Sequence, residues 1–172
     1  MNPQLLKGLN EHLRLEFRAA HEYLAMSIWL AANDLPGFSR WMKKQSADEL
    51  GHAQRIIDHL IDRDQKVALP AVSAPPMAWK NAEALCAHVL RNEQAVTASI
   101  NTLYAMADRA KDRPAQVMLQ WFVSEQMEEE AAARAVLGRI RLAGGTGVAL
   151  LIIDQERGSG KVPGLPDEPA GA

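Results

Sequence analysis

The sequence predicts an all-α fold: a four-helix bundle with one long crossover between helices two and three, plus a short C-terminal fifth helix. Three observations carry that expectation. Apolar residues recur at helical spacing along four long stretches. Strand signals are scarce. The one long interruption, rich in proline, falls between the second and third stretches, and two helices, a lengthwise connection and two more helices give a single-crossover bundle.

Each element has its own signal. The first helix runs from Leu5 to about Asn33 through Leu6, Leu9, Leu13, Phe17, Leu24 and Ile28, with Pro3 placed for a first turn. Pro36-Gly37 breaks it. A second pattern extends from Phe38 to about Asp64 through Trp41, Ala53, Ile56, Ile57 and Leu60. Residues 65–80 carry Pro70, Pro75 and Pro76 without periodicity and read as an extended connection. Asn81 is a fitting N-cap for a third helix, which carries Leu85, Val89, Val96, Ile100 and Leu103 as far as about Lys111. Asp112-Arg113-Pro114 supplies a cap and first turn for the fourth, which Gly144 and Gly145 stop after about Ala143. Val148 to Arg157 then forms a fifth helix apolar enough to require burial. One domain, residues 1–157, is expected, with 158–172 a flexible Gly/Pro-rich tail.

Composition narrows the function classes. At 172 residues the chain fits one core, and 48% hydrophobic with 23% charged residues is ordinary for a globular protein. A formal charge of -2 and the lack of any Lys/Arg stripe argue against nucleic acid. Cys86 is the only cysteine, so neither an internal disulfide nor a cysteine-based metal cluster is available. The start, Met1-Asn2-Pro3-Gln4, lacks the pattern of a secretory signal. The run Val148 to Ile153 is too short to span a bilayer. A cytoplasmic protein without a membrane partner is therefore expected.

Acidic residues are set where apolar ones belong. The second helix holds Glu49-Leu-Gly-His52, a carboxylate and an imidazole one turn apart on one face. Such a pair is common on solvated helices and means little alone. But Glu16 on the first helix, Glu93 on the third and Glu129 on the fourth lie, like Glu49, within about three residues of their helix midpoints, roughly 5 Å along the axis. Antiparallel packing brings them to one level. Four buried carboxylates would repel one another and lose their hydration, so a cation is required there. Two divalent ions would balance them, and oxygens with one imidazole suit iron or manganese.

Di-metal bundles use one Glu from each of two helices and a Glu-x-x-His from each of the other two. Here Gln126-x-x-Glu129 replaces the second such motif. From Asn10 through Ile153 the chain resembles bacterial non-haem ferritins, members of the ferritin-like di-iron carboxylate superfamily. The resemblance rests on Glu16 to Tyr23, Asp48-Glu49-x-x-His52, Glu93-Gln94 and Trp121-Phe-Val-Ser-Glu-Gln-Met-Glu-Glu-Glu130. Leu50 stands where a bacterioferritin has its haem-ligating Met, so no haem is expected.

The resemblance implies a ferroxidase that stores and detoxifies iron, oxidising Fe(II) with oxygen or peroxide and depositing ferric mineral inside a hollow 24-subunit homo-oligomer. It implies two irons per subunit, the first held by Glu16, Glu49 and His52. Glu49 would bridge to a second on Glu93 and Glu129, with Gln126 beside it as a neutral neighbour. Asp48, Glu125 and Glu128 match a third iron site, with Asp48 where Glu is usual. A lining of inward-facing acids is the alternative reading of those three. Tyr23, two turns after Glu16, is either an electron donor or a core tyrosine bonded to a site carboxylate. His12, His21, His59 and His88 are expected at the surface or in supporting roles, and the four tryptophans and the methionines in packing. The fifth helix would bury its apolar side chains against symmetry mates. The rival reading is a di-iron oxidase or peroxide scavenger that keeps its metal and stores none.

Overall fold

The computed structural model describes residues 1–159, so the expected tail lies almost wholly outside the described residues. Five helices follow in order: α1 Pro3–Ala32, α2 Pro36–Ile61, α3 Ala82–Arg109, α4 Arg113–Leu142 and α5 Gly147–Gly158. Among the described residues there is no strand. None of the helices is long and apolar enough to cross a membrane.

The caps show why the helices start where they do. Asn2 Oδ1 accepts from Gln4 N at 2.9 Å, Asn81 Oδ1 from Ala84 N at 2.8 Å, and Asp112 Oδ1 from Ala115 N at 3.2 Å. At α2 the structure departs from expectation. Pro36-Gly37 does not separate two helices but opens the second, since proline suits a first turn and its missing N–H is not needed there. The reversal is made instead by Asp34 in the left-handed region, at φ 59°. Leu35 offers no capping side chain, and the cap comes from the other end of the chain. Asp154 of α5 accepts from Gly37 N at 3.0 Å and from Phe38 N at 2.7 Å. A Cβ on residue 37 would lie 1.7 Å from the Asp154 carbonyl oxygen, so only glycine admits this approach.

α5 thus packs on its own chain. Ile153, Asp154 and Arg157 are buried, and Arg139 of α4 pairs with Glu156. The opposite face, with Val148, Leu151 and Ile152, is exposed. Residues 62–81 pass from α2 to α3, tied down by Asn10, which bonds Lys66 O and Ala68 N, and by Trp79, which donates to His88.

The interior is divided. One apolar cluster gathers Met26, Leu30, Phe38, Met42, Leu85, Val89 and Ile140, and another gathers Leu9, Leu13, Ile56, Leu60, Ile100, Leu119 and Phe122. Between them lie the buried polar residues Glu16, Glu49, His52, Glu93 and Gln126. On α1 the buried line runs Leu9, Glu16, Tyr23, Leu30, each seven residues apart. That is the period of helices wrapped around one another. Leu24 and Ile28 fall off this line and are exposed, contrary to their expected place in the core stripe.

Candidate metal centre

α1 and α2 bring the first group together. Glu16, Glu49 and His52 each present a ligand atom, and these lie within 4.8 Å of one another, all buried. His52 Nδ1 is 3.1 Å from Glu49 Oε2 and 3.7 Å from Glu16 Oε2. Its ring is held edge-on by Trp121 and Phe122. The Arg55 guanidinium lies over the Trp121 ring, 3.9 Å from its centre.

His12, expected at the surface or in a supporting role, takes the supporting one beside Glu16. It is buried, and its Nε2 sits 2.6 Å from Glu16 Oε1 while its Nδ1 meets Ser99 Oγ at 2.8 Å. Its spacing, i to i+4 ahead of a candidate ligand, was the available signal. The Nε2 contact is close but poorly directed, so both Glu16 oxygens lack a well-aligned hydrogen bond. A fully buried carboxylate in that state suits a cation.

The third and fourth helices supply the other half on different terms. Glu93 receives neutral donors: the Tyr23 hydroxyl at Oε1 and Gln126 Nε2, 3.2 Å from Oε2. Gln126 Nε2 also reaches the Glu93 carbonyl at 3.2 Å, while its Oε1 is buried without a donor. Glu129 receives Gln45 Nε2 at 3.0 Å on each oxygen. Gln45 was not anticipated, because its partner is remote in sequence.

Charge follows this geometry. Burial pushes the Glu16 carboxyl up, but His12 and His52 outweigh it and hold it well below the usual range. For His52 burial disfavours the cation, yet Glu16 and Glu49 raise it to about 11. Glu49 is pushed well up by burial and by Glu16 and Glu93, against the opposing bond from His52. Burial and Glu16 raise Glu93 despite Tyr23 and Gln126. Burial and Glu93 raise Glu129 to about 7. Tyr23 is pushed well above its ordinary value by burial and the charges of Glu93 and Glu49, so its phenol keeps its proton. Burial and mutual repulsion thus favour the protonated forms of Glu49, Glu93 and Glu129.

The residues matched to a third site are not drawn into such a cluster among the described residues. Asp48 is half-buried with Lys44 at 3.0 Å, Glu125 is half-buried and Glu128 is exposed. His88, expected at the surface or in a supporting role, has an acidic partner: its Nε2 is 3.2 Å from Glu22 Oε2, which also accepts from Asn92 at 2.7 Å. This network lies one residue before the Tyr23 and Glu93 pair on both helices.

A single-crossover bundle with a buried carboxylate layer is the architecture of ferritin-like four-helix folds. Comparison with known proteins gives the family. The Ferritin-like domain family matches residues 6–143, and the chain belongs to it. The chain is 32% identical over 158 residues to a bacterial non-heme ferritin of Bacteroides fragilis, covering 92% of this chain and 98% of that protein. It is 36% identical over 155 residues to one from Campylobacter jejuni, covering 90% and 93% respectively. Among solved structures it resembles an open pore ferritin of the archaeon Archaeoglobus fulgidus, with TM-score 0.89 and 37% identity, covering 92% of this chain and 98% of the other.

Proposed function

We propose that this protein oxidises Fe(II) at an intrasubunit two-iron centre and deposits the ferric product as mineral in a closed shell. Family membership supports iron storage and ferroxidase-type function in general. The observation that carries the specific reading is the buried trio Glu16, Glu49 and His52, whose ligand atoms are within 4.8 Å of one another.

Iron is the substrate. One ferrous ion would take Glu16, Glu49 and His52. The second would take Glu93 and Glu129, with Glu49 shared between the two. Ligation requires Glu49, Glu93, Glu129 and His52 to surrender protons, so iron entry is coupled to proton release. Each ferrous ion gives one electron, and the pair supplies the two that dioxygen needs to become peroxide, or peroxide to become water. Gln126, whose Oε1 has no donor, stands beside the second ion with a neutral amide in place of an anionic or imidazole ligand. That leaves the second position with the poorer ligand set. Ferric product is therefore released from it more readily, which suits deposition over retention. Tyr23 holds Glu93 by its hydroxyl and is the nearest phenol for electron donation. A third position on Asp48, Glu125 and Glu128 would require these side chains to draw closer together than they stand.

Storage needs a container, and one bundle is not one. Closed symmetric assembly into a 24-subunit shell supplies it. The exposed Val148, Leu151 and Ile152 of α5 fit burial against neighbouring copies. The test is aerobic Fe(II) oxidation by metal-free protein beside Glu49→Ala, with particle size and retained iron measured together. Hundreds of irons in a large particle, with oxidation lost in the variant, support the reading. About two irons per subunit would instead mark a retained cofactor, and oxidation unchanged in the variant would contradict the site.

A further inference from the structure

We infer that Gln45, locked in one orientation by Trp41, is a positioning residue that presets Glu129 for the second metal ion. The inference rests on Glu129 being a ligand there. Gln45 and Trp41 are not themselves ligands of either ion.

An amide side chain can face a carboxylate with its NH2 or, turned over, with its oxygen. Here the choice is forced. The Trp41 indole N–H is a donor only, and it lies 2.7 Å from Gln45 Oε1. The amide oxygen is thereby committed to Trp41. The NH2 must face the other way, where Nε2 stands 3.0 Å from both oxygens of Glu129. Both Trp41 and Gln45 are 5% exposed, so water does not offer either an alternative partner. Trp41 is itself fixed, by Phe38 at 6.4 Å between ring centres and by the Arg157 guanidinium 4.3 Å over its ring.

The chain of contacts therefore runs from α5 through α2 to a carboxylate on α4. Its last link is neutral. A lysine or arginine in place of Gln45 would compete with a metal for Glu129. An amide orders the carboxylate, adds no competing charge and is weak enough to give way as a metal binds. Groups that orient metal ligands in this manner are worth about 10–100-fold in affinity.

The experiment is titration of the metal-free protein with Co(II), followed by its visible absorption and by calorimetry, which resolve the two positions. Wild type is compared with Gln45→Leu, Gln45→Glu, Trp41→Phe and Glu129→Ala. Helicity and particle size are checked for each. The expected result is that Gln45→Leu weakens the second ion about 10–100-fold and leaves the first unchanged. Gln45→Glu does so at least as strongly. Trp41→Phe, which frees the amide to turn, gives a smaller loss of the same kind. Glu129→Ala removes the second ion. A second ion bound as tightly by Gln45→Leu as by wild type overturns the inference, as does equal weakening of both ions. If Glu129→Ala still binds two ions, the ligand reading fails and the inference goes with it. If it binds one while Gln45→Leu binds two normally, only the role of Gln45 falls.

Discussion

The two halves of the carboxylate layer are built from similar acids and held in different ways. In the half on α1 and α2, Glu16 and Glu49 meet two buried imidazoles, His12 and His52. In the half that reaches α3 and α4, Glu93 and Glu129 meet only neutral donors: Tyr23, Gln126 and Gln45. Buried imidazoles flank the carboxylates of the first half, where Glu16 and Glu49 favour the His52 cation. The second half is kept in place by neutral hydrogen-bond donors, and burial pushes both of its carboxyls toward the protonated form. The chain itself thus holds the two halves differently, and on the proposed two-ion reading this gives a preset first position and a yielding second one.

The largest expected effect comes from removing the one carboxylate common to both halves. Glu49→Ala should bring aerobic Fe(II) oxidation down to the rate in buffer, measured by ferric absorbance, while particle size is kept. Next, Glu93→Ala should separate the halves. Co(II) or Zn(II) titration is expected to show one strongly bound ion per subunit in place of two, and loss of both would break the comparison. His12→Ala should weaken the first ion by about 10–100-fold and leave the second nearly unchanged, read by the same titration. A uniform loss at both positions would mean that His12 merely supports the fold.

A smaller effect concerns acidity. Glu49, Glu93 and Glu129 have raised values in the folded chain, Glu129 from 4.5 to about 7. Between those values the folded chain holds protons that the unfolded chain has lost, so stability falls as pH rises through this window. Glu16, shifted the other way, contributes stability above its ordinary value of 4.5 and loses it only as pH drops further. The contribution of His52 is complete below 6.5 and is lost as pH climbs toward 11. The metal-free protein should therefore melt at a lower temperature at pH 7 than at pH 5. Added Zn(II) should narrow or reverse that difference. Equal melting of the metal-free protein at both pH values would show that the second half is not proton-loaded.

Much of this was legible in the sequence, and the residues that were not share a cause. Helical periodicity and the proline-rich interruption place the four long helices, and the matched heights of Glu16, Glu49, Glu93 and Glu129 place the polar layer. What periodicity does not give is which stripe faces inward when helices wrap. Leu24 and Ile28 are apolar and helically spaced, yet lie outside the seven-residue line through Glu16 and Tyr23. Contacts between remote segments were also hidden. Asp154 caps α2 from 116 residues away, and Gln45 meets Glu129 across 84. No local spacing encodes either contact. His12 is the instructive exception: it stands one turn before Glu16. An imidazole at that distance from a candidate ligand can be read from the sequence.

The most direct test of the asymmetric centre is stepwise Fe(II) binding to the metal-free protein without oxygen, followed by calorimetry and proton release. Two separable events per subunit are expected. The tighter one should vanish in His52→Ala and the weaker one in Glu129→Ala, each with protons released. Two equivalent ions, or one event abolished equally by both substitutions, would contradict a centre divided into a preset half and a yielding half.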